Sequence, residues 1–148
     1  MKRTRIRCWL LGIGLMAAAS LAHPAACAMS TTGLNFGNYD VFSTLNDDIT
    51  GTVSVNCPSG TAYSISLSSG FGAFAARTMT SGTNLLNYNL YLDATRLTIW
   101  GDGSAGTGTV SGTGTGAAVG SPVYGRIPWG QNAFVGSYSD VVIVTVTF

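Results

Sequence analysis

Charge of either sign is scarce in this chain of 148 residues, of which Asp, Glu, Lys and Arg together make up 9%. Four of the seven basic residues lie within the first seven positions. The rest of the chain holds three arginines against six aspartates, a net charge of −3. Proteins that bind nucleic acid neutralise its phosphates with clustered basic side chains. The sequence therefore excludes a nucleic-acid-binding surface.

Histidine and cysteine are too few for the commonest catalytic and metal sites. The single histidine, His23, lies near the start of the chain, so no Ser-His-Asp or Cys-His set is assembled in a fixed site. Of the three cysteines, Cys8 lies in the N-terminal apolar segment, which leaves Cys27 and Cys57 as a pair. An oxidised pair leaves no zinc ligand set. We expect no catalysis, no metal and no cofactor.

Long hydrophobic runs are also missing. The longest, Trp9 to Leu21, has about 13 residues, fewer than the roughly 20 that span a membrane. A basic segment precedes it and small residues follow, which predicts a signal peptide over residues 1–22 and export through the periplasm. A competing cleavage at Ala26–Ala28 would leave Cys57 without its partner. The expected domain is therefore 23–148, with a Cys27–Cys57 disulfide formed in an oxidising compartment.

Helical periodicity is absent from the mature sequence, which instead shows seven or so short alternating runs. Thr52–Cys57 and Tyr63–Leu67 are predicted to form a hairpin. Val119–Ile127 contains Pro122, which favours an edge strand because proline cannot donate to a ladder. These patterns predict an all-β protein, an antiparallel β-sandwich with Greek-key connections.

The final stretch, Ser139–Phe148, is a strongly apolar and β-branched strand. Its inward face carries Val142, Val144, Val146 and Phe148. No later strand in the sequence covers its outer edge, and an exposed apolar edge invites pairing with another chain. We therefore predict that another protein covers this strand.

The Gly-rich run 101–116 has little apolar content. Gly101–Gly106 matches the spacing of a dinucleotide-binding loop, but Thr and Gly follow it where that motif requires a helix. The run is predicted to be a mobile loop or a loosely paired hairpin at an edge.

Four aromatic residues are candidates for surface contact. Phe71 and Phe74 lie in an irregular apolar loop, and Trp100 and Trp129 lie beside Gly-rich turns. Packing in the core is the alternative for each. A third possibility is a carbohydrate-binding module that uses Trp100 and Trp129 with two acidic residues, Asp93 and Asp102.

Several motifs in order along the mature chain resemble the spore coat protein U domain family, which includes the pilins of archaic chaperone-usher pili of the Csu type. They are Gly33–Asp40, Gly51–Cys57, Ala76–Met79, Leu86–Asp93 leading into Trp100–Gly103, and Tyr124–Pro128.

The resemblance implies an incomplete immunoglobulin-like sandwich that lacks its final strand. A periplasmic chaperone would lend a strand to the groove beside the terminal strand, an outer-membrane usher would catalyse exchange, and another pilus subunit would replace the chaperone. The implied function is a structural and adhesive subunit of a pilus at the cell surface, used in attachment and biofilm formation. A secreted coat or matrix protein that folds without a partner is the alternative.

The chain departs from the family pattern in two places. Val41 stands where many members have proline. The tail before the first cysteine of the mature chain, His23–Ala26, extends only about 14 Å. We expect such a short tail to be unable to fill a neighbour's groove, so the subunit would accept a strand without donating one.

Overall fold

A computed structural model describes residues 26–148; the predicted signal peptide lies outside this range. The described residues form nine β-strands and contain no helix long and apolar enough to cross a membrane. In chain order the strands are β1 (Ala28–Thr32), β2 (Asp47–Asn56), β3 (Ala62–Leu67), β4 (Gly72–Ala73), β5 (Ala76–Ser81), β6 (Asn84–Tyr91), β7 (Val110–Thr113), β8 (Ala118–Ile127) and β9 (Val144–Thr147).

The strands form two antiparallel sheets. The larger has the order β1-β2-β8-β6-β5-β4, and the smaller has the order β7-β3-β9. Their apolar faces pack together because the longer strands β2, β3 and β8 alternate residues that face the core with residues that face solvent. The predicted all-β sandwich is confirmed.

The core lies between the sheets and draws on both. From Gly51 in β2 to Cys57, directly after the strand, every second residue is buried, and β3 buries Tyr63, Ile65 and Leu67 in the same way. The other buried apolar side chains are Leu86, Tyr88, Leu90, Trp100, Val123 and Ile127. The period of two thus identified the inward residues of these strands.

The predicted hairpin of Thr52–Cys57 with Tyr63–Leu67 is wrong. These segments belong to β2 and β3, which lie in different sheets. The chain crosses between the sheets through a turn in which the Thr61 N–H donates to the Pro58 carbonyl at 3.1 Å and Gly60 adopts a φ of 84°. Both strands alternate with the same period, so their pattern is the same whether they pair or face each other across a core.

The prediction that Pro122 marks an edge strand is also wrong. It lies in β8, which pairs with β2 on one side and β6 on the other. Opposite Pro122 is Thr52, whose N–H donates to Thr32 Oγ1 at 2.9 Å. Thr52 and Pro122 therefore form a non-hydrogen-bonded pair, in which the nitrogen of Pro122 points away from β2 and towards β6. Because the pairing of β8 with β6 ends at Tyr124, Pro122 removes no hydrogen bond between these two strands.

Part of the Gly-rich run is ordered because its backbone lies close to β3 and to the turn that precedes β3. Val110–Thr113 forms β7 and pairs with β3 at the edge of the small sheet, so the run pairs at an edge but not as a hairpin with itself. A Cβ at Gly112 would lie 2.6 Å from the Tyr63 hydroxyl oxygen. A Cβ at Gly114 would collide with the Pro58 carbonyl oxygen. Glycine at these positions lets the run lie against the core.

Candidate functional site

β9 is the edge strand of the small sheet. It pairs with β3, from Ser64 opposite Thr147 to Leu67 opposite Val144. Within residues 26–148, no strand pairs with its other side. Alternate residues of β9 therefore direct their N–H and C=O groups away from β3, and these groups can pair with an added strand.

A groove runs beside this free edge. Its upper part has a volume of about 420 Å³ and lies between Thr31–Phe36 on one wall and Tyr138–Val144 on the other. Its floor is apolar and comes from both sheets. The floor residues are Val53, Leu67, Met79, Tyr88, Leu90 and Val123.

The groove continues into a second cavity, which has a volume of about 730 Å³ and lies between Leu34–Phe42 and Ala133–Tyr138. It shares Leu34, Phe36, Met79 and Tyr138 with the upper part, so the two form one elongated groove. We call the two parts the upper groove and the lower groove. An elongated cleft that has an apolar floor in one part and begins beside a free strand edge is a shape that can receive an extended polypeptide.

The segment that precedes β9 forms one wall of the groove and is held in place by hydrogen bonds to both sheets. Ser139 pairs with Thr80 of β5 through two backbone hydrogen bonds of 2.9 and 3.1 Å. The Ser68 N–H donates to the Ile143 carbonyl, and the Ile143 N–H donates to Ser68 Oγ, both at 2.9 Å. The chain therefore reaches from the large sheet to the small sheet over a few residues.

Ser68 is itself fixed by a buried guanidinium. Arg77 is fully buried, and its Nε and one terminal nitrogen donate to the Ser68 carbonyl at 3.2 and 2.8 Å. The same group donates to the Trp100 carbonyl at 2.7 Å and to Asn89 Oδ1 at 2.8 Å, and it lies 5.5 Å from the centre of the Phe74 ring. Burial lowers the pKa of Arg77, but arginine stays protonated in proteins. No pattern in the sequence indicated that this arginine is buried.

The structure places the predicted groove residues at this edge. Val142, Val144 and Val146 are partly buried and pack against the core. Val142 and Val144 line the upper groove, whereas Phe148, directly after β9, is 57% exposed. The three valines face inward, as the alternation predicts. Their role in holding another strand remains a prediction.

The predicted disulfide is confirmed, since Cys27 and Cys57 are bonded. The pair links the residue before β1 to the residue after β2, and β1 and β2 are neighbours in the large sheet. The disulfide therefore fastens the edge strand β1, whose pairing places Ala28 opposite Asn56.

The prediction that Trp100 contacts a surface is wrong. Trp100 has 0% exposure, and its indole N–H donates to the Ile65 carbonyl at 3.1 Å. Its ring is part of the core. Phe74 is half-buried, and the Arg77 guanidinium lies over its ring.

The acidic residues of the carbohydrate alternative are engaged in local turns. Asp93 accepts from the N–H groups of Leu97 and Thr98 and from the Thr95 hydroxyl, and these bonds lower its pKa to about 2. Asp102 accepts from the backbone and hydroxyl of Ser104. With Trp100 buried, the structure does not bring the four residues together as a sugar site.

Phe71 and Trp129 are exposed, at 57% and 56%. Trp129 lies near the lower groove, because the carbonyl of the preceding Pro128 accepts from the hydroxyl of Tyr39, which lines that groove. The backbone N–H of Trp129 donates to Asn46 Oδ1, which joins the two loops of an exposed apolar rim. The other rim residues, all strongly exposed, are Phe42, Leu45, Phe134 and Val135. Their isolated positions in polar loops carry no periodic signal.

Most of the remaining charge is gathered on the outer face of the large sheet. Arg126 donates to both oxygens of Asp48 at 2.7 Å, and Arg96 lies 3.3 Å from the same carboxylate. The hydrogen bond from Arg126 is the main cause that lowers the pKa of Asp48. This is a cross-strand pair, because Asp48 in β2 lies opposite Arg126 in β8.

Comparison with solved structures shows a related fold. A chain in the crystal structure of the CsuC–CsuE chaperone–tip adhesion subunit pre-assembly complex, from archaic chaperone-usher Csu pili of Acinetobacter baumannii, matches with a TM-score of 0.64 and 21% identity. The match covers 84% of this chain and 40% of that chain, so this chain spans well under half of the longer one. The likeness concerns the fold, and it agrees with the predicted immunoglobulin-like sandwich.

Sequence comparison shows the family. Protein U of Myxococcus xanthus is 40% identical over 129 residues, which cover 78% of this chain and 71% of that protein. The sequence profile of the Spore Coat Protein U domain family matches residues 14–145. This match extends over most of the sequence and includes all nine described strands except the end of β9. The chain therefore belongs to the Spore Coat Protein U domain family.

Proposed function

We propose that this chain is a structural subunit of a chaperone-usher pilus, and that its groove receives a β-strand from another protein. The single observation that carries the proposal is the free edge of β9 beside an elongated groove whose upper part has an apolar floor. An added strand would pair with β9 through the main chain and place alternate side chains on the floor of the groove. Family membership and the fold of the pilus relative support this reading.

The proposal includes a route to the cell surface. The signal peptide over residues 1–22 would direct export, after which residues 23–148 fold with a strand lent by a periplasmic chaperone. An outer-membrane usher would then replace that strand with one from another subunit. No step requires a catalytic residue in this chain.

The test compares the full-length chain exported to the periplasm in three forms: alone, with a periplasmic chaperone encoded next to it, and with an alternating Val-Thr strand fused after Phe148 through a flexible linker. We expect little soluble monomer from the first form and good yields from the other two. A control fusion that has Asp in place of the inward valines should not rescue.

A matched pair of variants locates the added strand. Val144→Asp places a charge on the inward face of β9, and Thr145→Asp places the same charge on its exposed face. The fused strand should rescue Thr145→Asp but not Val144→Asp, because only Val144 lines the groove. Equal yields of soluble monomer from all three forms of the parent chain would instead favour a coat or matrix protein that folds without a partner.

We further propose that exposed aromatic side chains contribute to attachment and biofilm formation. Trp129 and Phe71 offer apolar area to a surface. Trp129→Ser and Phe71→Ser should reduce adsorption of the purified, strand-complemented protein to polystyrene. Leu97→Ser, at an even more exposed apolar site in another loop, serves as the control. Equal adsorption of all three variants and the parent would contradict this role.

A further inference from the structure

The upper groove contains one charged side chain among the lining residues of the described chain, that of Asp140. Its Oδ1 accepts from the N–H groups of Phe71 and Val141 at 3.0 and 2.7 Å. Its Oδ2 accepts from the Tyr88 hydroxyl at 2.6 Å. Burial and this hydrogen bond raise the pKa of Tyr88, so the hydroxyl keeps its proton and donates it to Asp140. The carboxylate is thus held in one orientation against the groove.

No cation of the described chain lies within ion-pair distance of Asp140. Arg77, which interacts with the charge of Asp140 only at longer range, donates to carbonyl oxygens and to Asn89, and both Arg96 and Arg126 form ion pairs with Asp48. An ionised carboxylate has about four acceptor positions, and three hydrogen bonds leave roughly one of them free. Asp140 is half-buried, so water currently reaches it.

A strand that fills the upper groove removes this water. Covering an ionised carboxylate with an apolar side chain leaves a charge without solvation, which is among the most costly events in a protein interior. A donor side chain avoids the cost by taking the free acceptor position, and a cationic donor also supplies the missing charge. Elsewhere the floor of the upper groove is apolar and favours apolar side chains.

From this charge complementarity we infer that the upper groove selects a strand with apolar residues at most inward positions and one basic side chain, Arg or Lys, opposite Asp140. The inference rests on the proposed function and adds the chemistry of the partner to it. Asp140 then acts as a residue that sets specificity and register, because a slip along the groove would place the cation over the apolar floor.

The probes are synthetic peptides of about 12 residues, long enough at about 3.4 Å per residue to follow β9 and the segment before it. The parent peptide alternates inward Val with outward Thr. One series replaces each inward Val in turn with Arg, and a second replaces each outward Thr with Arg to measure attraction that does not depend on position. The exported full-length protein is unfolded and then refolded with each peptide. The readout is the peptide concentration that gives half-maximal recovery of folded monomer.

We expect one inward Arg position to lower that concentration by at least about ten-fold relative to the parent peptide. Asp140→Asn should abolish this gain while leaving the parent peptide effective, and Asp102→Asn, an exposed site in a turn, should leave the gain intact. Citrulline, the neutral isostere of arginine, should also lose the gain at that position, which tests the charge without altering the protein.

Other outcomes overturn the inference. If Val is as good as Arg at every inward position, or if Asp140→Asn retains the gain, the groove does not select a cation, although rescue by the parent peptide would still support the proposed function. If no peptide rescues folding, including the parent, both proposals fail. Rescue by a second copy of the chain without any peptide would identify self-association as the occupant of the groove and would also refute the inference.

Discussion

Strands β8 and β9 share an alternation of apolar and polar residues but have different surroundings. β8 lies between β2 and β6, and its inward residues Val123 and Ile127 are 4% and 1% exposed. β9 pairs only with β3 among the described strands, and its inward valines remain partly exposed along the groove. The pattern of a strand therefore reports which face is inward but not how many neighbours the strand has.

The largest expected effect concerns the strands that support β8. Replacing both Cys27 and Cys57 with Ser should lower the free energy of unfolding by roughly 2 to 5 kcal/mol, since the bond restricts the unfolded chain and fastens β1 to β2. Chemical denaturation of the strand-complemented protein, with and without reductant, measures this. Reductant should destabilise the parent and leave the double variant unchanged; an effect on both would contradict the assignment.

The next effect concerns the segment that leads into β9. Arg77→Met should cost about 3 kcal/mol, because it leaves the Ser68 and Trp100 carbonyls without their donors. Arg126→Met, at an exposed ion pair, is the matched control and should cost less than about 1 kcal/mol. Both are measured by urea unfolding. Similar costs for the two variants would mean that the buried network does not stabilise the fold.

A direct comparison of the strands uses valine at one position in each. In β8, a Cβ at Gly125 would lie 2.8 Å from Phe36 Cζ and 3.1 Å from Ile49 Cγ2, so Gly125→Val should cost about 1 to 3 kcal/mol through overpacking. In β9, Thr145 is exposed, and Thr145→Val should change stability by less than about 0.5 kcal/mol. Thermal melting separates the two, and equal shifts would contradict the difference in packing.

The smallest effect concerns the ion pair between β2 and β8. The pKa of Asp48 is lowered in the folded protein, so its contribution is present above the pKa of the unfolded state and is lost as pH falls through the folded value. Asp48→Asn should therefore lower stability by less than about 1 kcal/mol near neutral pH. The difference from the parent should vanish under strongly acidic conditions. Urea midpoints across this range test the sign, and a difference that grows in acid would refute it.

The residues show why some of the fold was predictable. Val53, Val55, Ile65 and Leu67 follow a period of two, so their burial follows from local geometry. The disulfide followed from cysteine count and export. The predictions for Trp100 and Pro122 were wrong because they depend on residues that are distant in sequence. The indole N–H of Trp100 donates to the Ile65 carbonyl inside the core. Pro122 is tolerated in β8 because the pairing of β8 with β6 ends at Tyr124.

The groove was predictable in part. The inward valines of β9 were visible as a pattern, but Asp140 lies just before them and showed no sign of its contacts. Its hydrogen bonds come from Phe71 and Tyr88, which reach it only when β4, β6 and the final segment converge. The apolar rim was missed for a similar reason, because Phe42 and Phe134 become neighbours only at the lower groove.

The sequence by itself determined the all-β class, the inward faces of the strands and the disulfide, because alternation and cysteine pairing act locally or through composition. Only the tertiary structure decided which sheet each strand joins, that Arg77 is buried, and that a carboxylate lines the otherwise uncharged upper groove. A strand has two equivalent hydrogen-bonding edges, and its sequence does not state which neighbour takes each one. That choice follows from the long-range packing of the two sheets.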